Sequence, residues 1–516
     1  MSSFWLQGVA LTLTPIAQEF GVAATQVRYT TAALFIGLCI GATFWGVASD
    51  IIGRRLAFNV TLFLAGVFGM AVGGASNWIG ASALYACLGL GVGGNLPVDG
   101  ALFLEFLPTA SSGLLTLLSI WWPLGQLLAS LIAWGLIPSH ICAAKLPSCN
   151  VAAPGVACCG RSNNMGWRYF TLTLGSITLL MFIARFFLFH LFESPKYLLG
   201  RGRQSEAVAT VHGMAFQNGK KTWLTDGILN EIGGDPEIAS SSGQLSNAEV
   251  VRRKLGAFST ARILPLFATR RLGITTALIW FCWTTIGMGY PLFNAFLPQY
   301  LANAGAKSGP TPVHIVYRNY AITSVVGVPG SLVAYYFVDM PYIGRKGTLA
   351  ISTLLSGIFL FLFTISTSSN MQLIFTCLEA FFSNILYGVL YAYTPEVFPA
   401  PYRGTGTGIA SLLNRIAGLC APIIGANTGG TNPAVPVYIA GSLFLIAGGA
   451  MSVSPSSIIS VCCHNPAVYR ADTNPIQDSP PHRDPRSAKS VKPSLSPTVA
   501  LHSPTFFQHT SCLSGR

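Results

Sequence analysis

Twelve apolar runs separated by short polar breaks constrain this chain more than any other feature. They lie near 4–19, 28–48, 56–75, 79–103, 112–137 and 167–191, and again near 273–301, 315–338, 348–367, 371–394, 404–428 and 434–454. A helix of roughly 20 apolar residues rises about 30 Å, the thickness of the hydrocarbon core of a bilayer. Composition closes off the soluble alternative. Asp, Glu, Lys and Arg make up only 9% of the 516 residues, where a water-soluble protein carries roughly a quarter. A large core would explain the apolar content but not the missing charged surface. The runs predict an all-α membrane protein with twelve transmembrane helices.

The few charges are placed rather than scattered. The net charge of +13 comes largely from eleven Lys or Arg between Lys196 and Arg271 and six more after residue 464. Basic residues gathered in loops report the positive-inside rule, so nucleic acid is not an expected partner, whereas anionic lipid is a candidate for those loops. Arg54, Arg55, the central cluster, Arg345, Lys346 and Arg403 share one set of alternate loops; Lys145, Arg161 and Lys307 belong to the other. That bias puts the first set, and both termini, in the cytoplasm of a multi-pass membrane protein; the plasma membrane is the expected location, with an organelle membrane left open. The organisation expected is a six-helix half over 1–192, a cytoplasmic central loop over 193–272, a second six-helix half over 273–454 and a disordered tail over 455–516. Within the loop, "DPEIASSSGQLSNAEVVRRK" reads as a linker. The first run is short and holds Gln7, Thr12, Thr14 and Gln18, so the chain is expected to start part-way through a helix or to lack its true beginning. Of the twelve cysteines, Cys39, Cys87, Cys282, Cys377 and Cys420 fall in apolar runs and read as small core residues. Cys142, Cys149, Cys158 and Cys159 share one loop, where one or two disulfides are expected with the pairing open.

The sequence repeats itself. "GRR" at 53–55 has a partner in "GRK" at 344–346, and "EFLPTASSG" at 105–113 has one in "EVFPAPYRG" at 396–404. Four matches share one offset of 291 residues: 54 to 345, 105 to 396, 108 to 399 and 113 to 404. Two motifs at one spacing, each at the same end of corresponding runs, mark a duplication into two six-helix pseudo-repeats. Gly53 and Gly344 suit tight inter-helix turns, and Asp50 and Asp339 precede them. Arg54, Arg55, Arg345 and Arg403 can meet the carboxylates Glu105 and Glu396 at nearby helix ends. The arrangement predicts a charge latch that holds one conformation and breaks in another.

These stretches carry a resemblance. "GVASDIIGRR", the duplicate "GRK", the paired E-x-x-P segments and "FESPKYLLGRGR" resemble the signature motifs of the major facilitator superfamily, over essentially all of residues 4 to 454. "ESPKYL" at 193–198 resembles the sugar-porter branch. "GGNLPVDGALFLEFLP" and "PEVFPAPYRGTGTG" look closer to fungal members and to the synaptic-vesicle-two-related branch than to hexose carriers. The resemblance implies a major facilitator fold and secondary transport by alternating access. The departures are specific. Run seven reads "IWFCWTTIGMGYPLFNAFLPQYL" without paired glutamines, the P-E-T motif after the last run is absent, Ser112 stands where the second repeat has Arg403, and the first run lacks the acidic residue many relatives use for coupling.

Charged groups inside a bilayer are costly and functional by default. Arg415 lies about 16 Å deep by helix rise and Glu379 about 12 Å from the opposite face, so the two are expected at depths that allow pairing. Arg415 and its neighbour Asn414 are substrate-binding candidates, joined by Gln126, where sugar porters place a binding glutamine, and by Trp283, Tyr290 and Asn294. Trp121, Trp122 and Trp280 are further candidates for a cavity wall. Glu379 and Asp99 are candidates for coupling, with protons the coupling ion. The "GLGVGG" stretch at 89–94 has no preceding strand and reads as close helix packing rather than a nucleotide site. No P-loop, hydrolase elbow or metal-ligand cluster is visible, so no enzyme activity, cofactor or metal is expected. The function expected is movement of a sugar, polyol or carboxylate by a monomer. The alternatives are a non-transporting sensor of the same fold and a truncated, inactive gene product.

Overall fold

The computed structural model describes residues 2–106, 113–143, 146–188, 192–200, 203–233, 263–297, 300, 312–338, 340, 342–366, 368–399, 402–428 and 434–453. Asp339, the linker section of the central loop and the tail after 454 lie outside the described residues, as do the side chains of Asp50, Asp99 and Glu105. Twelve long helices form within this set. In the first half they are α1 (Ser2–Phe20), α2 (Tyr29–Ile52), α3 (Arg54–Val72), α4 (Trp78–Phe106), α5 (Trp121–Leu136) and α6 (Gly166–Leu188). In the second they are α7 (Arg270–Asn294), α8 (Val313–Val338), α9 (Gly344–Ile365), α10 (Ser369–Val397), α11 (Arg403–Thr428) and α12 (Val435–Val453). Ten stretches built on these helices are long and apolar enough to cross a membrane by length and composition alone. The described residues form an integral, multi-pass, all-α membrane protein. Shorter helices, Gln204–Gln217 and Asp226–Gly233, give the central loop more structure than its polar composition suggested.

Successive helices run in alternate directions, which separates two ends of the bundle. The inner end carries Gly53, Gly344 and Glu396; the far end carries Phe20, Arg28 and Gly425. The halves meet along α2 with α11 and along α5 with α8.

The polar residues that made the first run look unsuitable are what place it inside. Gln7 donates to Ser130 Oγ on α5 (3.5 Å), and the Thr12 hydroxyl meets the Tyr85 hydroxyl on α4 at 2.8 Å. Trp5 Nε1 donates to Thr178 on α6 at 3.2 Å. A polar side chain with a partner on a neighbouring helix is tolerated in the bilayer, and Trp5, Leu11, Leu13 and Ile16 are fully buried around these bonds.

The glycine-rich stretch of α4 is a packing seam. A Cβ on Gly37 would sit 1.9 Å from the Ala86 carbonyl oxygen, one on Gly41 2.2 Å from that of Leu90, and one on Gly93 2.4 Å from that of Leu38. Small residues four apart on both helices let the backbones of α2 and α4 touch.

At the far end, the cysteine-rich loop is held by two disulfides, Cys142–Cys159 and Cys149–Cys158. Cys282 is buried as expected. Cys87 and Cys420 instead face outwards, because the apolar environment they occupy is the surface of the bundle rather than its core.

Candidate functional site

The centre of the bundle, between α5 of the first half and α7, α10 and α11 of the second, is built from rings. Residues 283, 287, 290 and 294 follow one another at helical spacing along α7. Trp283 is edge-on to Tyr391 of α10 with centroids 4.6 Å apart, and Tyr290 is edge-on to Tyr387 at 5.3 Å. From the other half, Trp122 of α5 reaches Tyr391 at 4.6 Å and Tyr387 at 6.3 Å. Edge-to-face contacts at these spacings are attractive beyond burial alone. The polar tips are tied as well. Gln126 Nε2 donates to the Tyr290 hydroxyl at 2.5 Å, Trp283 Nε1 to Thr394 Oγ1 at 2.8 Å and the Tyr387 hydroxyl to the Ile286 carbonyl at 3.3 Å.

Arg415 of α11 packs beside this ring cluster. It is 9% exposed, and its guanidinium donates across the boundary between halves to the Leu38 and Gly93 carbonyls, at 3.5 and 3.4 Å. Both acceptors lie on the glycine seam, where absent side chains leave main-chain oxygens open to approach. Tyr391 lies within electrostatic range of the guanidinium. Asn414 inserts beside Gly287 of α7, with its Oδ1 buried and unpartnered.

The expected approach of Arg415 to Glu379 does not occur. Glu379 is level with the far half of α10, about 18 Å by helix rise from Tyr391, which accompanies Arg415. Equal depth from opposite faces was a one-dimensional argument; the two side chains belong to different parts of the bundle. Both oxygens of Glu379 are buried, and the Ser383 hydroxyl one turn along is its hydrogen-bonding neighbour. Tyr290, Tyr320 and Tyr387 lie within electrostatic range of its carboxyl. Asn294 ends α7 one turn beyond Tyr290, outside the ring cluster. Trp121 faces outwards at 64% exposure, and Trp280 donates to the Gly406 carbonyl closer to the inner end; neither belongs to the ring cluster.

At the inner end, Gly53 (φ +102°) makes the turn between α2 and α3. A Cβ there would lie 2.7 Å from Glu193 Oε2. The Glu193 carboxylate accepts from the Arg54 and Arg55 main-chain N–H groups at 3.0 and 3.3 Å, capping the first turn of α3. Arg54 Nη1 also donates to Ser49 at 3.0 Å. In the second repeat Gly344 again has positive φ, and Arg345 pairs with Glu396, linking α9 to the end of α10.

Two far-end groups were not singled out by sequence reasoning. Arg28, buried at the head of α2, donates to the Gly425 carbonyl of α11 and lies over the Phe296 ring at 4.7 Å. Glu19 is buried with Arg168 at 2.6 Å, Trp167 Nε1 at 2.9 Å and Asn164 Nδ2 at 3.3 Å. The only signal for either was a charge at the edge of an apolar run, which is also what a solvated helix end looks like.

Comparison with known proteins places this architecture. Residues 8–454 match the family model described as "Sugar (and other) transporter". The "MFS siderochrome iron transporter 1" of Ceriporiopsis subvermispora is 46% identical over 452 residues, covering 87% of this chain and 83% of that one. The "Major facilitator-type transporter hxnZ" of Emericella nidulans is 40% identical over 456 residues, covering 87% and 80%. Among solved structures, the proton:xylose symporter XylE bound to 6-bromo-6-deoxy-D-glucose superposes with a TM-score of 0.60 over 88% of this chain and 94% of that one, at 18% identity, a likeness of fold.

Proposed function

The chain belongs to the sugar (and other) transporter family of the major facilitator superfamily, and from that premise we propose that it is a secondary transporter moving a small polar organic solute by alternating access. Its place is the plasma membrane, with the basic inner end and both termini in the cytoplasm, and it works as a monomer. One observation carries the reading: Arg415, on the second half, is buried and donates to main-chain oxygens of the first half, at the contact between the two halves. A charge held there by two long hydrogen bonds is available to a solute and changes its surroundings when the halves move apart. Glu379, a carboxyl buried within the second half beside Ser383, is the candidate for picking up and releasing a coupling proton. Arg345 with Glu396, and the capped turn at Gly53, are the inner latch that opens and closes with transport.

The test is uptake by transporter-deficient cells of labelled sugars, polyols, carboxylates, organic cations and a ferric siderophore. The siderophore is included because a 46% identical relative is named for siderochrome iron. The expected result is accumulation of one class, lost in Arg415→Ala. Absence of uptake by protein correctly delivered to the membrane would sink the transport reading and leave a non-transporting sensor.

A further inference from the structure

We propose that the tip of the central loop, residues 216–223, is a membrane-surface anchor that docks on anionic phospholipid headgroups beside the inner end of α6. This goes beyond the transporter reading and does not depend on it.

Position is the first argument. The outward side of α6 ends in the exposed rings of Phe186 and Phe187. Just past that end, Phe192 receives the helix Gln204–Gln217, where a Cβ on Gly213 would lie 2.7 Å from its ring. The short helix Pro195–Gly200 packs on Gln204–Gln217 and is tied to the inner end of the bundle, because the Tyr197 hydroxyl donates to the Ile51 carbonyl at 3.3 Å. The loop helix is therefore held where the bundle leaves the bilayer.

The second argument is what that helix presents there. Gly213 and Phe216, three residues apart, share one helix face. The face that meets Phe192 thus also carries Phe216, which is 86% exposed. The chain turns at Gly219 (φ +64°) and comes back, with His212 Nε2 donating to the Leu224 carbonyl at 2.7 Å. That return brings up Trp223, 73% exposed, and leaves Lys220 and Lys221 exposed between the two rings.

The third argument is chemical. Aromatic rings settle at the headgroup level of a bilayer, and each lysine near an anionic leaflet strengthens binding roughly fivefold. Two rings flanking a lysine pair combine both attractions at one tip. The acids nearby do not cancel them. Glu206 is engaged by Arg203 at 2.6 Å, and Asp226 and Glu231 belong to the next helix, Asp226–Gly233.

The experiment is amide hydrogen exchange on the purified full-length chain, in nanodiscs of phosphatidylcholine alone and of phosphatidylcholine with phosphatidylserine. Both faces of a nanodisc carry the same lipid, so the result does not depend on which end of the bundle is cytoplasmic. The amides of 216–224 are expected to exchange roughly 10- to 30-fold more slowly with phosphatidylserine, the scale of two lysines held at an anionic surface. High salt is expected to remove the difference. The double change Lys220→Glu with Lys221→Glu alters exposed side chains outside any helix, and is expected to abolish the slowing while 204–211 exchanges as before. Phe216→Ser with Trp223→Ser is expected to abolish it as well. Equal exchange of the tip in the two lipids, or slowing that survives either double change, would overturn the proposal. Slowing just as large in detergent would overturn it too, by showing that the tip is covered by the chain itself.

Discussion

Glu19 and Arg345 sit at opposite ends of the bundle, and their surroundings ask different things of them. The Glu19–Arg168 pair is almost fully buried, at 5% and 1% side-chain exposure, and every polar neighbour points inwards: Trp167, Asn164 and the Ala75 carbonyl, which accepts from Arg168 Nη2 at 2.8 Å. Removing one partner strands a buried charge, whereas removing both together need not. Arg168→Leu is expected to cost about 3–5 kcal/mol of stability, read as a fall in thermal midpoint of the purified protein. The double change Glu19→Gln with Arg168→Leu should recover much of that loss. A double variant as unstable as the single one would show that packing of the long side chain, not charge, holds α1 to α6. The Arg345–Glu396 pair is less deeply buried, at 22% and 16% side-chain exposure.

Among the elements, α2 and α4 show how a local pattern becomes a packing rule. Gly37 and Gly41 stand one turn apart in the sequence, and so do Gly89 and Gly93; that spacing was legible as a helix–helix contact. Which helix met which was not, because glycine on any apolar run offers the same smooth face. Backbone contact across the seam makes the expected signs unequal. Gly41→Ala puts a methyl against the Leu90 carbonyl and should cost about 1–3 kcal/mol. Gly46→Ala, on the same helix with open space around it, should gain up to about 1 kcal/mol from helix propensity. Thermal stability of the two variants side by side is the measurement. If both lose or both gain, the seam is not as tight as described. The seam also matters to the site, since the carbonyls it leaves bare are those that receive Arg415.

Across the whole molecule, the far end is closed by contacts between halves. Arg28 of the first half reaches Gly425 and Phe296 of the second, and the Tyr317 hydroxyl of α8 donates to the Leu11 carbonyl of α1 at 2.9 Å. A hydrogen bond from a charged group contributes about 1.5–3 kcal/mol, enough to shift a two-state equilibrium by roughly 10- to 100-fold. Arg28→Ala is therefore expected to populate a form open at the far end. Spin labels at exposed Ile79 and Tyr438, at the far ends of α4 and α12, should report longer distances in that variant. An unchanged distance distribution would count against Arg28 as the clamp.

The membrane-spanning fold was readable from the order of residues because it rests on terms that act along the chain. Run length sets how far a helix reaches, missing charge excludes a water-facing surface, and a repeat at one offset records duplication. Gln126, Trp283, Tyr290 and Arg415 were also visible as candidates, since polar and aromatic groups in a run stand out against lipid-facing residues. Only the tertiary structure decided their company. It joined Gln126 to Tyr290 across the halves, gave Glu193 to the first turn of α3, kept Glu379 away from Arg415 and buried Glu19 beside Arg168. Depth in a bilayer follows from counting residues at a fixed rise. Pairing depends on how each helix is rotated and which neighbour it faces, and that is set by packing between segments far apart in the chain.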